Sequence, residues 1–309
     1  MAAPAISSPT SIGAKLATTV GAYVALTKPR IIELLLVTTV PVMVVADQGV
    51  PPLWLMAAAV IGGTLAAGGA NAINMYVDRD IDSVMERTQG RPLVTGAVTP
   101  RNALVFAVTI EVVAFVFLWQ VVNLLSAVLA VSGCLYYVFI YTLWLKRSSR
   151  QNIVIGGAAG AVPVLVGWSA VTDTVSISAI VLFGVIFFWT PPHFWALALF
   201  VETDYAAAGV PMMPVVAGHH STRRQILIYA VLLLPLTLLP FWLGLAGWLY
   251  GVSALVLSGL FLLLALRVAV FRGNVADMDM RPEKRLFGYS VLYLFVLFAA
   301  LVADRFLIG

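Results

Sequence analysis

Three oxygen-bearing side chains, Asn74, Asp78 and Asp82, recur at four-residue intervals in the stretch NAINMYVDRDIDSVMERTQGRP, residues 71–92. On an α-helix each such step drifts about 40° and rises about 6 Å, so the three project from one face. Like charges set that close repel, and a cation or a substrate has to offset the repulsion. Mg2+ fits this need, because it takes oxygen ligands at about 2.1 Å, keeps several waters and bridges one or two carboxylates to phosphate oxygens. No His or Cys accompanies the acids, which argues against Zn2+. Asp80 lies about 200° round the helix from Asp78 and is not assigned as a primary ligand. The competing reading is an acidic helix end solvated at an interface, although acids at a helix carboxyl terminus oppose its dipole. Arg87 and Arg91 follow in the same stretch, and Lys146 and Arg147 occupy another polar segment. Acids plus cations suit a diphosphate, with the metal joining it to the carboxylates and Arg or Lys taking the remaining oxygens. Each of these cations also reads as a simple membrane-interface anchor. The chain has no GxxxxGK loop, which argues against a nucleoside triphosphate.

The elements that must carry these residues are membrane helices. Hydrophobic residues make up 61% of the 309 and charged residues only 10%, with a mean hydropathy of +1.01, far from the range of soluble domains. Apolar runs lie near 24–46, 53–77, 102–120, 122–143, 153–170, 177–200, 226–247, 251–271 and 287–307. Each is close to the roughly 20 residues needed to cross about 30 Å of hydrocarbon. The expected fold is therefore all-α and integral to the membrane, with nine transmembrane helices. Residues 1–22 read as a disordered cytoplasmic tail and 23–309 as a single polytopic domain. Of 18 Lys and Arg, 17 fall at one face of this arrangement and only Arg305 at the other. The positive-inside rule then places the amino terminus in the cytoplasm, in a bacterial cytoplasmic membrane. The net charge of +4 reflects topology, so no nucleic-acid partner is expected. Spans two and six are both followed by acids, Asp78, Asp80, Asp82 and Glu86 in one case and Glu202 and Asp204 in the other. That spacing suggests two related four-helix units. A diphosphate whose tail lies in the bilayer, a polyisoprenyl diphosphate, is the substrate this arrangement suits.

Several segments sharpen the reading: LTKPRI (26–31), NMYVDRDIDSVMERTQGRPL (74–93), YTLWLKR (141–147), NIVIGGAAGAVPVLVGW (152–168), WTPPHFWALAL (189–199) and DYAAAGVPMMPVV (204–216). On these the chain resembles the UbiA-type intramembrane prenyltransferase superfamily, with its NxxxDxxxD motif, and within it the protoheme IX farnesyltransferases, or heme O synthases. The resemblance implies nine helices around a central cavity opening to the cytoplasmic face. It also implies two Mg2+ ions and transfer of a farnesyl group from farnesyl diphosphate to a vinyl group of heme b, with water addition, giving heme O and diphosphate. Asn74, Asp78 and Asp82 match the first metal motif and Asp204 the second, where Tyr205 replaces one expected acid. Glu202 stands where a basic residue is expected, and Val164 where a proline is common. Lys28 joins Arg87, Arg91, Lys146 and Arg147 as expected ligands of the diphosphate. Membrane lipid and a heme A synthase or terminal-oxidase assembly factor are the further partners such a role implies.

Other residues read two ways. His193 follows Pro191–Pro192, which should kink the sixth span, and it is either a heme contact or a hydrogen-bonded structural residue. Tyr136, Tyr137, Tyr141, Trp189 and Trp195 are either faces for an allylic cation or packing residues. Asn152 is a helix cap or a pocket ligand, His219 and His220 read as solvated or interfacial loop residues, and Glu33 and Glu111 have no readable partners. A prenyltransferase acting on a quinone precursor shares the first motif. A membrane transporter would instead place broken helices at the midplane.

Overall fold

The structure, a computed structural model, describes residues 12–271 and 280–307, and the side chains of all of these except 12–16 and 30–36. Twelve helices carry them: α1 Ile12–Leu26, α2 Pro29–Asp47, α3 Leu53–Val77, α4 Arg79–Val84 and α5 Pro100–Val121. Next come α6 Leu124–Ser148 and α7 Asn152–Thr172, then α8 Ile177–Phe200, α9 Glu202–Ala207, α10 Met213–Trp242, α11 Trp248–Val270 and α12 Arg281–Leu307. No strand occurs among the described residues. Eight of these helices are long and apolar enough to cross a membrane, and they coincide with the second to ninth predicted spans. This is a multi-pass membrane protein, and α5 shows why. Val105, Val108, Val112, Val116 and Trp119 are exposed on it, an apolar stripe that water could not cover.

The first predicted span, 24–46, begins later than expected, with α2 taking it up at Pro29 and running to Asp47. Lys28 adopts the left-handed conformation (φ 53°, ψ 61°) just before Pro29. The proline ring disfavours the α region for the residue preceding it, so α1 and α2 cannot be one helix. Residues 12–22, expected as part of a disordered tail, belong to α1. Ala22, Tyr23 and Leu26 pack with Ala72, Met75 and Phe106, and that apolar contact orders the segment. Residues 1–11 lie outside the description, as does the side chain of Glu33.

Sequence signals set the other boundaries. Asn123 starts α6 by accepting from the Ser126 amide at 2.8 Å, while its Nδ2 donates to the Ser169 carbonyl. It therefore divides the long apolar run and ties α6 to α7. Helix α8 runs continuously through Pro191 and Pro192. Helix α10 begins well before predicted residue 226, at Met213 with Pro214 in its first turn, and turns at Gly218 (φ 76°). The main core lies among α7, α8, α10, α11 and α12. Helices α3 and α5 form a close pair in which Gly69 leaves room for Glu111, whose Oε1 lies 2.7 Å from where a Cβ would stand. The last helix closes the bundle against α2. The Asp304 carboxylate accepts from the Gly247 and Tyr250 amides at the start of α11, and Arg305 Nε donates to the Gln48 carbonyl at 2.9 Å.

Candidate active site

Helix α3 ends at Val77 and α4 starts at Arg79, with Asp78 (φ −85°, ψ 6°) as the joint. Helical pairing nevertheless carries across, because the Asp82 amide donates to the Asp78 carbonyl at 2.8 Å. The four-residue spacing therefore survives the joint, and Asn74, Asp78 and Asp82 are all buried at one end of the bundle. Asn74 Nδ2 donates to Asp78 Oδ2 at 2.8 Å and to Thr142 Oγ1 at 3.0 Å.

Cations close in from three other segments. Lys28, held in its left-handed conformation, donates to Asn74 Oδ1 at 2.6 Å. The Lys146 ammonium pairs with Asp78 Oδ2, and Arg91 pairs with Asp82 Oδ2 at 2.5 Å. Oxygen Oδ1 of Asp78 is buried without a hydrogen-bond partner, its nearest cation being Arg147 at 3.7 Å. Burial, with Arg91 and Lys146 nearby, lowers the Lys28 ammonium to about 7, against the pull of Asp78 and Asp82. The result is a buried amide and two carboxylates, each engaged by a basic side chain.

A second tier lies outside this core. Arg147 forks onto Asp80, both contacts at 2.7 Å, and donates to the Val77 carbonyl. That hydrogen bond holds the Asp80 carboxyl down at about 2. Arg147 is thus committed first to Asp80, the acid on the far side of the helix. Arg87 lies over the Tyr205 ring at 5.7 Å, and Ile81, Met85, Ile153, Tyr205 and Met212 pack as one apolar cluster that brings α9 against α4. Asp204 is the residue before Tyr205 on α9. It is half-buried, and no three His, Cys, Asp or Glu side chains among the described residues converge on one point.

His193 groups with other residues. It is buried between the rings of Trp189 and Phe287, at 4.3 and 4.7 Å, with Nδ1 2.6 Å from Ser290 Oγ at the seam of α8 and α12. His219, expected to be solvated or interfacial, meets Glu202 Oε2 at 2.5 Å, so it ties the start of α10 to α9. Of the candidate aromatics, Tyr137 and Tyr141 stack at 5.4 Å on α6, and the Tyr136 hydroxyl donates to the Ile155 carbonyl. Trp195 is fully buried against Tyr229, and Trp189 Nε1 donates to the Ser290 carbonyl.

Sequence reasoning missed Thr142 and the geometry behind it. Residues Tyr136–Leu145 form a π-helix, a rare conformation frequent at functional sites. It places Thr142 beside Asn74, and the Thr142 hydroxyl donates to the Tyr137 carbonyl at 2.9 Å. The run YYVFIYTLWL carries no signal for it beyond its aromatics.

The fold and the residues gathered at its end define a polytopic membrane enzyme of the prenyltransferase class. The chain belongs to the UbiA prenyltransferase family, whose model matches residues 35–291. It is 51% identical over 294 residues to a protoheme IX farnesyltransferase of Streptomyces avermitilis, covering 93% of this chain and 94% of that one. Among solved structures it is similar to a digeranylgeranylglyceryl phosphate synthase, at 16% identity and a TM-score of 0.74, covering 93% of this chain and 98% of the other. It is also similar to a UbiA homolog from Archaeoglobus fulgidus bound to GPP and Mg2+, at 17% identity and a TM-score of 0.64, over 90% and 99% of the two chains. At those identities the two structures speak for the fold alone.

Proposed function

We propose that the chain transfers a farnesyl group from farnesyl diphosphate to a vinyl carbon of heme b, with addition of water, to give heme O and diphosphate. The observation that carries this reading is the buried set Asn74, Asp78 and Asp82 with Lys28, Arg91 and Lys146 upon it, in a chain half identical to a protein named for that reaction.

The residues fit Mg2+. Two carboxylates and an amide oxygen form a hard-oxygen donor set, and the unpartnered Asp78 Oδ1 is a ligand in waiting. Asn74, Asp78 and Asp82 would hold one ion and Asp204 a second, the remaining ligands coming from water and phosphate. Bound there, Mg2+ supplies Lewis-acid neutralisation of the charge that develops on the departing diphosphate. The chain's own part is binding and shielding. Lys28 turns from the Asn74 amide oxygen, and Arg91 and Lys146 from the carboxylates, to the phosphate oxygens, and Arg87 and Arg147 reach them from the outer tier. Tyr137 and Tyr141 present ring faces to the allylic cation once the C–O bond has opened. The vinyl π electrons then form the new C–C bond. Water adds to the cation left beside the porphyrin and loses a proton, so atoms and charge balance. The polar face of the site lies in the cytoplasm, with the amino terminus on the same side.

Incubation of membranes containing the protein with farnesyl diphosphate, heme b and Mg2+ tests this, with the hemes read by mass. The expected product is hydroxyfarnesylated heme. Prenylation of a quinone precursor with none of heme b would overturn the assignment of acceptor.

A further inference from the structure

Asn152 stands at the start of α7, fully buried. Neither its Oδ1 nor its Nδ2 has a hydrogen-bond partner. It is not the helix cap, since Gln151 holds that position and no side chain makes a cap bond there. A buried amide with an idle donor and an idle acceptor is rare, because protein interiors satisfy nearly all such groups with protein or water. Its surroundings belong to the site. Ile153, the next residue, packs with Ile81, Met85, Tyr141 and Tyr205. One turn on, Gly156 lies so close to the Tyr141 ring that a Cβ there would stand 2.2 Å from Cδ2.

We infer that Asn152 holds the water molecule that captures the cation formed on the heme vinyl group, an inference that rests on the function proposed above. The chemistry of the amide selects that ligand. A diphosphate oxygen only accepts hydrogen bonds and would leave Oδ1 idle, and a prenyl chain would leave both atoms idle. Water both donates and accepts, and satisfies the two together. Held by Nδ2–H and donating one proton to Oδ1, the water presents a lone pair to the cationic carbon. The new C–O bond forms and the second O–H proton leaves to the departing diphosphate, which the reaction itself supplies. Without a held water, the cation loses a proton from the neighbouring carbon and closes to an alkene. That product is lighter than the alcohol by one water.

The product ratio therefore reports on Asn152 independently of rate. Purified wild type, Asn152→Leu and Asn152→Asp are each given farnesyl diphosphate, heme b and Mg2+, and alcohol and alkene are quantified by mass. Wild type should give the alcohol. Asn152→Leu should raise the alkene fraction at least tenfold, and Asn152→Asp, which keeps an acceptor for water, should restore the alcohol. An unchanged ratio in Asn152→Leu, whether turnover is normal or low, overturns the inference. So does a raised KM for farnesyl diphosphate with an unchanged ratio, which would assign the amide to the diphosphate. If Asn152→Leu fails to fold, Asn152→Val, which likewise can hold no water, replaces it, and a ratio there equal to that of wild type overturns it as well. Failure of wild type to farnesylate heme would sink the underlying function instead, and is read from a different sample.

Discussion

Asp78 is where the charges of the site meet, since Asn74, Lys146 and Arg147 all reach its carboxylate. Replacing it by Asn keeps the shape and removes the charge. Mg2+-dependent diphosphate release by Asp78→Asn should fall by about 100-fold or more, the scale seen when a group stabilising transition-state charge is lost. Near-normal turnover would eliminate the metal role. Asp80 makes the contrast. It is mostly exposed and paired with Arg147, so Asp80→Ala should shift stability by less than about 1 kcal/mol, read by thermal melting in detergent. Its carboxyl sits below the ordinary value, at about 2. Whatever the pair contributes is therefore present above about pH 4 and is lost only as pH falls through 2. Melting temperatures of wild type and Asp80→Ala should run parallel from pH 5 to 8. The Asn74, Asp78 and Asp82 set was legible at this scale, because four-residue spacing is a local property. The commitments of the cations were not, since Lys28 and Lys146 come from remote segments that only the folded bundle brings to the acids, and Arg91 reaches back to Asp82 through the turn after α4.

At the scale of elements, α6 and α7 form the wall of the site, and their fit depends on Gly156. A methyl group there would overlap Tyr141. Gly156→Ala should cost about 1–3 kcal/mol of stability, as overpacking does, and displace the ring stacked on Tyr137. Farnesyl transfer should drop with it, while Gly160→Ala, where a Cβ meets nothing within 4 Å, should leave both unchanged. Paired activity and melting measurements check this. The helices were legible because an apolar run of about 20 residues has few other fates. One detail was not. The π-helix of Tyr136–Leu145 leaves no compositional trace.

Across the whole molecule, composition and charge asymmetry carried the reading furthest, because the bilayer constrains sequence more uniformly than water does. The orientation they imply can be measured. In a Cys134→Ala background, single cysteines at Arg150 and Thr174 should label from opposite sides with a membrane-impermeant maleimide in intact cells and inverted vesicles, Arg150 from the cytoplasm. Labelling from the same side would overturn the topology. The closing contacts of α12 have a consequence of their own. Asp304 and Arg305 fasten the final helix to the first turn of α11 and to the end of α2, so the bundle is buckled at the end remote from the acids. A chain cut short before Asp304 should keep its charged pocket but come apart from the far side, losing heat resistance well before it loses the ability to grip a pyrophosphate.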